Sequence, residues 1–175
     1  QSLAVFPARE ANAALYLWLA ACAAHAPTHD PQTDPLCADL ASLHAAIRMA
    51  DHTLREAPGF RSLYADLCGA ILSLRRTPHL PEAEATVEAA IRHLLGDPAA
   101  LSAKATRMVN AIRSSDFTAY RAPRRYRPYR PVAIWPDLRA PGTSHNTAVE
   151  SRATEGTPEE GESNRSHRAK RRAAD

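Results

Sequence analysis

The sequence predicts an all-α domain of about five helices, packed like a bundle, that is followed by an extended arm and a disordered tail. Apolar residues recur at helical spacing through roughly residues 8–113, and only short breaks separate these segments. Prolines interrupt the chain repeatedly after residue 122, and large apolar residues almost disappear after residue 142. We therefore divide the chain into a helical domain (1–120), an arm (121–142) and a linker (143–175).

The first predicted helix runs from about Ala8 to Ala26, with Pro7 near its first turn and Pro27 beyond its end. Its apolar stripe consists of Leu15, Trp18, Leu19 and Cys22. Alanines make the rest of this segment apolar almost all round. Because a helix with little polar surface usually lies inside a domain, we expect this helix to be central.

The next two helices have recognisable boundaries. Asp34 is a suitable N-cap and Pro35 a suitable first residue for a second helix that ends near Ala57. Pro58-Gly59 predicts a turn, after which the third helix covers Phe60–Arg76. Leucines and isoleucines at helical spacing mark the buried faces of both segments.

The fourth and fifth helices are predicted to follow closely. Pro81 and the acidic residues after it start the fourth helix, and Gly96 ends it. Asp97-Pro98 predicts that the fifth helix begins at once and continues to about residue 113. Ser114–Tyr120 could add one more helical turn.

The arm carries the unbalanced charge, because residues 115–142 hold six arginines and two aspartates. Arginines interleaved with tyrosines suit acidic protein surfaces, phosphates or stacked single-stranded nucleic acid. In the competing interpretation, the tyrosines and Trp135 pack on the helices and the arginines pair with surface acids. The predicted partner-binding residues are Arg121, Arg124, Arg125, Tyr126, Arg127, Tyr129, Arg130 and Trp135.

The sequence gives little support for catalysis or for metal binding. His25 and His29 have the spacing of a helical metal pair, but Pro27 lies between them. The glutamates at 82, 84 and 88 fit a solvated helix start better than a catalytic pair. The sequence holds no nucleophile, phosphate-loop or zinc-protease motif. We predict no catalytic residue, no cofactor and no metal, and therefore not an enzyme.

The cysteines and the hydropathy pattern indicate the cellular compartment of the protein. Cys22, Cys37 and Cys68 are far apart and lie in apolar helical patterns, which predicts small buried side chains in a reducing compartment. No apolar run reaches the roughly 18 residues of a membrane span. A cytoplasmic protein that does not contact the membrane is the expectation.

Several short segments resemble the CbbO/NorD family. The similarity lies in Phe6-Pro7-Ala8-Arg9, in the apolar run of residues 13–19, in Tyr129-Arg130-Pro131-Val132 with Trp135, and in the basic end Lys170-Arg171-Arg172. Family members have a helical part, a charged linker and a von Willebrand factor A domain. The D-x-S-x-S metal motif of that domain is absent here, so we expect the helical part that precedes it, and no metal site carries over.

The resemblance implies a non-catalytic adaptor that works with a MoxR-type AAA+ ATPase hexamer, like CbbQ or NorQ. The client enzyme would be Rubisco, which CbbO reactivates, or nitric oxide reductase, whose maturation NorD serves. Rubisco activation is favoured at this point. The alternative is a helical module that binds nucleic acid through the arm, although the near-neutral helices make nucleic acid the less favoured partner.

Overall fold

The computed structural model describes residues 4–25, 32–75 and 79–136. Within these residues the chain forms five α-helices and a short 3-10 helix and no strand, which confirms the all-α prediction. The helices are α1 (Arg9–Ala23), α2 (Pro35–Glu56), α3 (Arg61–Leu74), α4 (Glu82–Leu94) and α5 (Ala103–Ser114), and the 3-10 helix Pro58–Phe60 leads into α3. The end of the predicted arm and the predicted disordered tail lie outside the described residues.

The central helix is α2, not α1. It has 22 residues, of which twelve are buried, and it packs against α1, α5 and the 3-10 helix. Helix α1 buries only Leu15, Trp18 and Cys22, and it leaves Tyr16 and Leu17 about half exposed, at 48% and 55%. The expectation of a central α1 was wrong, because several of the alanines that make this segment apolar all round face water, where their small side chains cost little.

The caps explain where two of the helices begin. Asp34 caps α2 as predicted, since its Oδ1 accepts hydrogen bonds from the backbone N–H groups of Leu36 and Cys37, both at 3.0 Å. Helix α4 begins at Glu82, directly after Pro81, and Gly96 follows its end with a φ of 95°. That positive φ is a conformation that glycine adopts without a steric cost.

The fifth helix begins later than the sequence pattern predicted. Its N-cap is Ser102, whose Oγ accepts a hydrogen bond from the N–H of Ala105 at 3.2 Å. Asp97 is used differently: it accepts hydrogen bonds from the side chain of Arg92 at 2.7 Å and from the N–H of Ala99 at 3.0 Å. The predicted start at Asp97-Pro98 was therefore wrong, because the aspartate is occupied in a turn that delays the helix.

The predicted extra turn after α5 is also absent. Ser115 adopts a left-handed backbone conformation with a φ of 60° and ends the helix. The following residues form a single hydrogen-bonded turn, in which the N–H of Tyr120 donates to the carbonyl oxygen of Phe117 at 3.0 Å. This turn directs the chain toward the arm.

The last described residues of the arm are part of the hydrophobic core. Val132, Ile134 and Trp135 are at most 5% exposed and pack with the helices. The indole N–H of Trp18, which is fully buried, donates to the carbonyl oxygen of Ile134 at 2.8 Å. The indole N–H of Trp135 in turn donates to the hydroxyl of Tyr64 at 3.0 Å. The arm therefore completes the core that the helices begin.

We predict that Trp18→Phe lowers the free energy of unfolding by about 2–4 kcal/mol, because it leaves a cavity and removes the donor of a buried carbonyl. Urea unfolding followed by circular dichroism measures this loss. Leu17→Ala, one position away on the exposed face, is the control and should change stability by less than about 0.5 kcal/mol. Equal effects of the two substitutions would contradict the packing described here.

Candidate functional site: the arm and the groove beside it

The first anchor of the arm is the N-cap of α2. The carboxylate of Asp34, which caps the helix, also accepts a hydrogen bond from the backbone N–H of Ala122 at 3.0 Å. Burial by itself raises the pKa of Asp34, but the N–H donors of Ala122, Cys37 and Leu36 outweigh it and hold the pKa below its usual value. One carboxylate thus fixes both a helix start and the beginning of the arm.

The second anchor is a buried aspartate one turn further along α2. Asp39 is 1% exposed, and its Oδ2 accepts hydrogen bonds from the hydroxyl of Tyr126 at 2.7 Å and from the N–H of Tyr129 at 3.0 Å. The hydroxyl of Tyr129 donates to buried Ser42 at 3.2 Å. Burial and the neighbouring charge of Asp39 raise the pKa of Tyr126, so this hydroxyl keeps its proton.

The arginines of the arm point the other way. Arg121, Arg124, Arg125, Arg127 and Arg130 are all exposed. The ion pairs found among the described residues are Arg75–Glu88, Arg92–Asp97 and Lys104–Glu82, and none of them involves an arm arginine. The arm therefore presents several guanidinium groups to solvent.

The positions of the arm side chains agree in part with each of the two interpretations of the arm. Tyr126, Tyr129 and Trp135 bind within the domain, as the competing interpretation expected, but the arginines do not pair with described acids as it also expected. A role in partner binding stays a prediction for all eight arm residues. The structure makes the arginines the accessible members of the set.

One arginine has an unusual backbone conformation. Arg125 has a φ of 65°, in the left-handed region, and lies in a turn that the N–H of Tyr126 closes onto the carbonyl oxygen of Pro123 at 3.1 Å. A residue with a Cβ loses about 1–2 kcal/mol in that region. The anchors on either side hold the turn in place and direct this arginine outward.

A groove of about 910 Å³ runs between the arm, the end of α3 and one side of α4. Its apolar lining includes Ile71, Leu74, Leu80, Val87 and Pro131, and its polar lining includes Arg75, His79, Glu84, Glu88, Arg125, Arg127 and Arg130. The arm therefore forms one wall of the groove. The volume lies within the range of protein pockets that hold small ligands or side chains.

Two glutamates on α4 connect the groove to the arm. Glu88 forms a two-bond ion pair with Arg75, at 2.6 and 2.8 Å, and Arg75 also donates to the carbonyl oxygen of Arg130 at 3.1 Å. Glu84 accepts a hydrogen bond from the N–H of Arg127 on Oε1 at 3.1 Å. Its Oε2 is buried and has no hydrogen-bond partner among the described residues.

Histidines and cysteines take structural positions in the described part of the chain. Nδ1 of His44 lies 2.6 Å from the carbonyl oxygen of Ile112, and the ring of His25 lies 4.3 Å from that of His52. The three cysteines are free and buried as predicted, and burial raises the pKa of Cys68 to about 11. No group of three or more potential metal ligands occurs among the described residues. His29 lies outside them.

The sequence interpretation missed the residues that hold the arm. Asp39 and Ser42 were read as part of a helix, and Glu84 as a solvated acid. One signal was present: Asp39 stands between Leu36, Leu40 and Leu43, on the buried side of α2. An acid on a buried helix face requires hydrogen-bond donors from elsewhere in the chain.

The fold and the site define an all-α domain with an ordered arm that presents arginines to solvent. No family model and no solved structure matches the chain. Among curated proteins, the chain is similar to NorD from Brucella abortus (strain 2308), Brucella suis biovar 1 (strain 1330) and Brucella melitensis biotype 1. Each is 34% identical over 161 residues, which cover 88% of this chain and 24% of the relative.

The chain is therefore a relative of NorD, and its resemblance to the CbbO/NorD family is confirmed. It spans about a quarter of the length of these curated relatives. In the described residues, no helix is both long enough and apolar enough to cross a membrane.

We predict that Tyr126→Phe lowers the free energy of unfolding by about 1.5–3 kcal/mol, because it removes a donor to a buried charged acceptor. Tyr120→Phe is the matched control, since no described residue accepts a hydrogen bond from its hydroxyl, and it should cost less than about 0.5 kcal/mol. Urea unfolding of both variants measures the difference. Indistinguishable stabilities would mean that the Asp39 anchor contributes nothing.

We also predict an acid-sensitive contribution from Asp34. Its folded-state pKa is lowered, so its stabilisation is complete above the unfolded-state value of about 4 and is lost as the pH falls through the folded-state value. Asp34→Asn keeps an acceptor but cannot ionise. The wild type should be the more stable protein at neutral pH, and its advantage should shrink in acid. A stability difference that stays constant with pH would disprove this role.

Proposed function

We propose that this chain is a non-catalytic adaptor region that works with a MoxR-type AAA+ ATPase hexamer during activation of a client enzyme, in the cytoplasm. Two findings support the proposal. The chain is related to NorD over most of its length. Its arm also combines an ordered backbone with exposed arginines, an arrangement suited to binding another protein.

The observation that carries the proposal is the set of arm arginines without carboxylate partners among the described residues. A guanidinium group binds carboxylates in a two-bond geometry and keeps its charge at all physiological pH values. Because the arm is already fixed on α2, little backbone entropy is lost when a partner binds. The surface therefore suits an acidic face of a partner protein.

The name of the curated relatives indicates which client enzyme to propose. Within the family, NorD is the branch that the resemblance connects with nitric oxide reductase, and CbbO is the branch connected with Rubisco. Since the relatives found here are NorD proteins, we propose maturation of nitric oxide reductase in preference to Rubisco activation.

The nucleic-acid alternative has less support from the structure. Stacking of bases requires accessible aromatic faces. Tyr126 and Tyr129 are only partly exposed, and their hydroxyls are bound to α2. The arginines could still contact phosphates, so the test below includes single-stranded DNA.

We predict that the triple variant Arg124→Ala, Arg125→Ala, Arg127→Ala weakens association with the ATPase at least about tenfold, since each lost charge contact contributes a fraction of the binding free energy. Association is measured by co-purification and by titration of the labelled chain. The matched control replaces three exposed arginines elsewhere, Arg9, Arg107 and Arg113, and should bind like the wild type.

Circular dichroism should give the same helicity for both triple variants. Unchanged co-purification of the arm variant would contradict the proposal. Binding to labelled single-stranded DNA with an affinity that falls steeply as salt rises would support the nucleic-acid alternative instead.

A further inference from the structure

The groove beside the arm combines an apolar floor with a basic rim. Val87 and Ile71 form its deep part, at 1% and 6% exposed. Leu74 also lines the groove, yet it is 49% exposed and so is one of three large hydrophobic side chains left exposed among the described residues. A half-exposed leucine beside buried apolar residues offers a place for another apolar side chain.

The charges around this floor are unequal. Arg75 and Glu88 neutralise each other through their two hydrogen bonds. Among the described residues, the remaining rim then has three guanidinium groups, those of Arg125, Arg127 and Arg130, with the imidazole of His79 and one further carboxylate, that of Glu84. A ligand that fits this charge distribution carries net negative charge.

Glu84 is held by the arm and adds the negative charge of the rim. Its Oε1 accepts the N–H of Arg127, and its Oε2 is buried away from the groove, without a hydrogen-bond partner among the described residues. The carboxylate therefore opposes an acidic ligand only weakly where three guanidinium groups surround it.

We infer that the groove is the docking site for a short acidic segment of a partner protein that places one large apolar side chain against Leu74. Its carboxylates bind Arg125, Arg127 and Arg130. The inference rests on the proposed function, because it takes the segment in the groove to belong to a partner protein. It adds the chemistry of the segment that the partner presents.

The test uses the whole chain and a short labelled peptide of aspartates and glutamates around a single leucine. Fluorescence anisotropy should show saturable binding to the wild type, and Leu74→Ser should weaken it at least about tenfold, the expected loss for one buried leucine contact. Leu17→Ser is the matched control, because Leu17 is a similarly exposed helical leucine on α1, at 55%. It should bind like the wild type.

A second peptide, with serine in place of the leucine, should also bind at least about tenfold more weakly to the wild type. Equal binding of the two peptides, or full binding by Leu74→Ser, would overturn the inference, since the arginines alone would then account for the affinity. A dimer of the chain alone that Leu74→Ser dissociates would also overturn it, because a second copy would be the occupant.

Failure of this inference can be told apart from failure of the proposed function. If the ATPase requires the arm arginines but tolerates Leu74→Ser, the adaptor role holds and the groove inference fails. If the peptide requires Leu74 but the ATPase does not associate with the wild type, the groove binds acidic segments of another protein and the proposed ATPase partner is wrong.

Discussion

A carboxylate buried near the beginning of α2 determines how the domain is assembled. Asp39 is removed from water, and its Oδ2 accepts hydrogen bonds from two donors of the arm, 87 and 90 residues later in the chain. A buried charge without such donors is strongly destabilising. The helices therefore depend on the arm for hydrogen-bond donors to Asp39, and the arm depends on the helices for apolar contacts.

The arm divides its side chains by chemistry. Tyrosine hydroxyls, one tyrosine N–H and apolar residues from Val132 onward face the helices. The arginines are exposed, and three of them line the groove. Prolines keep the segment from becoming helical, so that neighbouring residues can be directed to opposite sides. The same short stretch thereby completes the fold and offers a charged surface, and its arginines can be substituted without a change in the core.

Local patterns predicted the helices well, because helical periodicity, proline positions and the Asp34 cap act over a few residues. The late start of α5 escaped prediction because two capping residues, Asp97 and Ser102, compete within a few positions. Likewise the central place of α2 depends on tertiary packing. The arm was recognised as the candidate site from its arginines and prolines, but its anchors and the groove join residues far apart in sequence, which no local pattern specifies.

The bond from Trp18 to Ile134 spans 116 positions and has a consequence for biosynthesis. Chains emerge from the ribosome in order, so the five described helices are made before the arm that supplies donors to Asp39 and completes the core. Contacts this distant in sequence slow the folding search, since a long loop must close first. A ribosome-bound chain that has exposed only the helices still lacks its final stabilising contacts, and the native state is reached only after the arm has left the exit tunnel.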